Sequence, residues 1–172
     1  TLITLSAPFA FTQDAGKTEA DAASAAKEAL QKLFAPTVSA EQLAELAKEA
    51  NKLGVPRQQI IEARLVWGLR NQDTAFLTKM LPEVEVLAAN FDPSQAAAMP
   101  NAEAIQSFAS YIRALKAQEG KDAEGFKKHI LEAIWLQPGQ ASVFIQSIEK
   151  TRREEKKPAP TVDMKLPLTD SL

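Results

Sequence analysis

A chain of 172 residues is long enough for one domain with its own core, or for three or four helix pairs. It is rich in Ala, sparing in Gly, only 6% aromatic and free of cysteine. That balance favours helices and excludes disulfides, thiolate nucleophiles and zinc–thiolate sites from these residues. A net charge of −2 and a pI near 5.6 give no electrostatic case for nucleic acid, whose recognition leans on clustered Lys and Arg.

Residues 1–13 open apolar, and TLITLSAPFAFTQDAGK then turns polar and Ala-rich, like the end of a secretory signal peptide cut between Ala7 and Gln13. That pattern implies an exported protein, periplasmic or secreted; the alternative is an apolar N-terminal segment packed on the domain. Residues 14–157 read as one helical domain. From Thr18 to Phe34, Ala23, Ala26, Leu30 and Leu33 recur at helical spacing, and Ala35-Pro36 stops the run. Ser39 and Gln42 form a capping box. Behind it lies the stripe Leu43, Leu46, Ala47, Ala50 and Leu53, closed by Gly54, Val55 and Pro56.

Arg57–Asn71 carries Ile60, Ile61, Leu65, Trp67 and Leu69 over a wide arc, which predicts a helix buried between neighbours. Gly68 within it is expected where the backbone of another helix comes close, the alternative being a fraying helix end. Asp73-Thr74 offers a cap for a stripe of Leu77, Leu81, Val84, Ala88 and Phe91. That stripe stays in phase through Pro82 and predicts one kinked helix. Residues 92–101 form a connector, with any short turn placed at its alanines, and Asn101 caps the next run. Glu103–Ser142 is the clearest hairpin: Ile105, Phe108, Ile112 and Leu115, then Gly120 and Asp122, then Phe126, Ile130, Ala133 and Ile134. After Pro138-Gly139 a last helix carries Phe144 and Ile148 and fades into KTRREEKK.

From 158 to 172 the chain is Pro-rich with no helical period, a linker or the start of a following domain. No stretch reaches the ~20 apolar residues of a membrane span. No metal-loop, phosphate-loop or hydrolase motif occurs, and the lone His129 lacks a nucleophile and orienting acid in the sequence. The reading is therefore non-catalytic, with no cofactor and no metal. Trp67 and Trp135 both fall within helical stripes and are expected in the core, the alternative being that one of them lies in a ligand groove.

The segment Gln118–Gln140 resembles the second half of a tetratricopeptide repeat, with Ile130, Ala133, Leu136 and Pro138 at motif positions and Ala114 as the small residue of the first helix. Phe126 departs from the motif, where a small residue is usual. A partial copy lies 45 residues earlier, where Ala88, Pro93, Gln95 and Ala96 match Ala133, Pro138, Gln140 and Ala141. This period is longer than the family's usual one. The resemblance implies an all-α fold of six or seven helices in irregular, stacked antiparallel hairpins with an extended C-terminal tail. An unrelated helical bundle is the alternative.

It also implies a protein-interaction or scaffold role, with a groove lined by the first helix of each pair. Arg64, Asn71, Arg113 and Lys116 would then face an acidic peptide or a C-terminal carboxylate. Separately, APTVDMKLPLTDSL resembles the entry strand of a thioredoxin-like (redoxin) domain. That resemblance implies an accessory domain to a thiol–disulfide oxidoreductase whose catalytic part would follow Leu172.

Overall fold

The computed structural model describes residues 14–155; the expectations for residues 1–13 and 158–172 lie outside them. Seven α-helices make up the described chain: α1 Asp14–Leu33, α2 Ala40–Lys52, α3 Arg57–Asn71, α4 Thr74–Ala89, α5 Ala102–Glu119, α6 Ala123–Leu136 and α7 Ala141–Glu155. No strand occurs among the described residues. Single 3-10 turns, Pro93–Gln95 and Pro138–Gln140, precede α5 and α7.

Local chemistry sets most of these boundaries. The Ser39 hydroxyl accepts from the Gln42 N–H, and the Gln42 side chain accepts from the Ser39 N–H, so the capping box closes in both directions. Asp73, Asn101 and Asp122 each accept from a backbone N–H three residues on, capping α4, α5 and α6. Helix α4 runs unbroken through Pro82, as its in-phase stripe predicted.

The C-termini of α2, α3 and α5 share one device, the paired backbone bonds of a Schellman turn. In α2 the Val55 N–H donates to the Ala50 carbonyl and Gly54 to Asn51, with Gly54 at φ 79°. In α3 and α5 the left-handed residue is not glycine but Gln72 (φ 52°) and Lys121 (φ 57°). Gly120 itself sits in the right-handed region, one position too early for the turn.

The core has two lobes joined by α3. Ile60, Ala63 and Trp67 pack with Ala29 and Leu33 of α1 and Leu43 and Ala50 of α2. Ile61 and Leu65 face the larger lobe built from α4, α5, α6 and α7. The wide apolar arc of α3 thus serves neighbours on both sides. Trp67 is 6% exposed, meets Phe76 edge-on at 5.0 Å, and donates its indole N–H to the Val38 carbonyl at 2.8 Å. Phe144 anchors α7 on α5, stacked on Tyr111 at 4.6 Å and edge-on to Phe108 at 5.7 Å. Gly68 lies where α3 meets the start of α4. A Cβ there would stand 2.7 Å from Leu77 Cδ2, so the close approach expected of this glycine is to side chains.

The 45-residue spacing holds at both ends of the unit. Helix α3 begins at Arg57 and α5 at Ala102, 45 residues on, and the two 3-10 turns begin at Pro93 and Pro138, the same interval apart. The short turn of the connector therefore sits at Pro93–Gln95, not at the alanines that follow. Each unit also buries a polar side chain at the same helix position, Glu62 in α3 and Ser107 in α5, both 0% exposed. Ser107 Oγ donates to the Ala133 carbonyl of α6 at 2.8 Å.

Glu62 is the more consequential of the two. Its Oε2 accepts from the N–H groups of Ala97, Ala98 and Met99 at 2.9, 2.6 and 3.1 Å, and its Oε1 from Gln58 Nε2 at 3.0 Å. Gln58, 6% exposed, also brackets the Asp92 backbone, donating to its carbonyl and accepting from its N–H, both at 2.9 Å. Two side chains one turn apart on α3 thereby hold both ends of the connector. A buried carboxylate is costly unless its lone pairs are filled, and here they are.

Candidate functional site

A groove of about 510 Å³ lies between α2, α3 and α4. Its floor is Leu43, Ala47, Ile60 and Phe76, and its rim carries Lys48, Arg57 and Arg64 against the single acid Glu83. Three cations facing one carboxylate leave the groove net positive. Lys48 is held by Glu45 at 2.7 Å. Arg64 Nη1 bonds both oxygens of Glu83, at 3.0 and 2.8 Å, and its guanidinium stands 5.9 Å from the Phe76 ring centre. Exposed Arg57 has no ion pair among the described residues, so its charge is available to a ligand.

A second hollow, of about 380 Å³, lies between α4, α5 and α6 and is lined by Glu85, Gln106, Ser110, Arg113, Glu132 and Trp135 among others. Here the sign reverses. Arg113 is committed to Glu85, with Nε and Nη2 each 2.9 Å from the same oxygen, and Glu132 is a further carboxylate. Trp135 is 85% exposed, contrary to the expectation that both tryptophans sit in the core. The stripe Phe126, Ile130, Ala133 and Ile134 turns inward on α6, which leaves Leu131 and Trp135 on the opposite face. An apolar residue one step off a stripe is indistinguishable from a core residue in a one-dimensional reading.

The four residues named for a peptide groove are thus separated. Arg64 lines the positive groove and Arg113 the hollow beside Trp135; neither lines both. The Asn71 amide donates to the Trp67 carbonyl of its own helix at 2.9 Å, and Lys116 is exposed near the end of α5. Arg57 is the groove residue that sequence reading passed over. It begins α3, where a cation runs against the helix dipole and therefore asks for another reason.

A wide cleft between the end of α1 and α2 is rimmed by Glu41, Glu45 and Glu49. These charges are largely met from within. The Glu41 carboxyl is held below its ordinary range by its own backbone N–H and then by the Ser39 hydroxyl, and Glu45 is lowered by Lys48. Lys32 on the same cleft is raised by its bond to Glu28. His129 Nδ1 lies 3.4 Å from Glu132 Oε2, and among the described residues no hydroxyl bonds it. Among the described residues no cluster of His, Asp and Glu could hold a metal ion, and no helix is long and apolar enough to cross a membrane. Compared with known protein families, curated proteins and solved structures, the chain matches none.

Proposed function

We propose that this chain is a non-catalytic protein-interaction domain, built like irregular tetratricopeptide repeats, that binds an acidic peptide segment in the groove between α2, α3 and α4. The observation that carries the reading is Arg57, a cation without an ion-pair partner among the described residues, standing beside Arg64 over the apolar floor of Leu43, Ile60 and Phe76. An extended or helical peptide with an apolar residue for the floor and a carboxylate for Arg57 matches both halves of the groove. The N-terminal pattern extends the proposal to an exported protein.

A peptide array of acidic and amphipathic sequences, read with wild type, Arg57→Glu and Arg113→Ala/Lys116→Ala chains, tests it. Arg57→Glu is expected to lose the acidic binders while the Arg113/Lys116 variant keeps them. Identical binding by wild type and Arg57→Glu would sink the groove. A second reading rests on Ala159-Pro160, Val162, Met164, Leu166 and Leu168: an accessory domain for a thioredoxin-like oxidoreductase. It requires a Cys-x-x-Cys motif in the sequence following Leu172, and its absence there would end the idea.

A further inference from the structure

We propose that the hollow between α4, α5 and α6 receives a cationic side chain, a lysine or arginine of a partner polypeptide, against the indole face of Trp135. It is a second docking surface, opposite in sign to the groove of α2, α3 and α4 and independent of it. Three observations converge on a cation. Two carboxylates, Glu85 and Glu132, meet one guanidinium, and that guanidinium is already taken by Glu85. Among the described residues Glu132 has only His129 as a bonded neighbour, at a long 3.4 Å.

Next, Trp135 presents an aromatic surface that is 85% exposed at the edge of this hollow. The negative face of an indole ring attracts an ammonium or guanidinium within about 6 Å of its centre. Finally, Ser110 lines the same hollow on a residue only 1% exposed, and its hydroxyl bonds no other described residue. That hydroxyl opens onto the hollow and offers an acceptor lone pair to an entering donor. A lysine ammonium has three donors, for Glu132, Ser110 and the Gln106 amide oxygen, with its methylene stem lying along Trp135 and Leu136. Trp is also among the residues enriched where binding energy concentrates at protein interfaces.

The chain contains two tryptophans, so the two indole N–H signals of the ¹⁵N-labelled protein report the exposed site and the buried core separately. The probes are the peptide acetyl-Gly-Gly-Lys-Gly-Gly-amide, its isosteric norleucine twin and n-butylammonium. The lysine peptide is expected to shift the Trp135 signal saturably and leave Trp67 in place, while the norleucine peptide shifts neither. Glu132→Gln should weaken the lysine peptide, and Trp135→Leu, read on the Gln106 amide, should weaken it by about 2- to 10-fold. Both substitutions fall on exposed positions, so the fold is retained. Equal shifts with the norleucine twin would overturn the cation. Binding of n-butylammonium as tight as the peptide's would overturn the polypeptide occupant, and no shift at millimolar lysine peptide would overturn the site.

Discussion

Replacing Glu62 should damage this fold more than any change on its surface. The carboxylate is fully buried and fills four hydrogen bonds, three of them from consecutive N–H groups of the connector. In Glu62→Ala those three donors lose their acceptor. Ala97 and Ala98 are exposed and can turn to water, but Met99 is only 5% exposed and its N–H has no other route. Leaving one such donor unpaired costs about 1–3 kcal/mol, and each lost bond to the charged group adds to it. With four bonds to the charged group lost and the Met99 N–H orphaned, the expected loss is about 3–5 kcal/mol.

Glu62→Gln should fall lower, at about 2–3 kcal/mol, because one amide oxygen can still accept while its NH₂ meets a donor on either side. Gln58 cannot flip to relieve this without breaking both of its bonds to Asp92. Urea unfolding followed by circular dichroism measures both, and hydrogen exchange at residues 97–99 should rise before global unfolding does. A loss below ~1 kcal/mol for Glu62→Ala, with exchange at those amides unchanged, would refute the clamp.

Three further outcomes follow from the geometry. Lys121→Gly should stabilise the α5–α6 turn by about 1 kcal/mol, since a left-handed residue with a side chain is strained, whereas Gly54→Ala should cost a similar amount; equal and null effects in urea would contradict the φ assignments. Both polar atoms of Gln118 are buried without a partner among the described residues, so Gln118→Met should raise the thermal midpoint, and a loss would mean the amide is satisfied in solution. The Asp92 carboxyl is held below its ordinary value by the Ser94 hydroxyl and then the Ser94 N–H. A lowered folded value means stability that is present above the unfolded carboxylate range and lost as pH falls through the folded one. Asp92→Asn should flatten that acid limb in unfolding experiments across pH, and an unchanged acid limb would count against the turn.

The elements themselves were legible because their causes are local. The capping box at Ser39 and Gln42, the Gly54 turn, and the bounds of α3 all depend on residues a few positions apart, and hydrophobic spacing supplied the rest. The same is true of the 45-residue interval, whose second helices diverged while its proline turns stayed fixed. Where local chemistry misled, a substitute had taken over: Gly120 marks the end of α5, but the left-handed position belongs to Lys121.

Pairing between distant residues was not legible. Glu62 reads as an ordinary helix-surface glutamate until the connector, 35 to 37 residues away, folds its N–H groups onto it. Arg64 and Arg113 read as one basic set until α4 gave each its own acid, Glu83 and Glu85, and placed the two in separate hollows. Trp135 reads as core until the inward stripe of α6 turns it outward. Helix formation is decided over three or four residues, so the order of residues determined it. Which charge is neutralised and which ring meets solvent is decided by neighbours brought together across the chain, and only the packing of α3 through α6 supplied them.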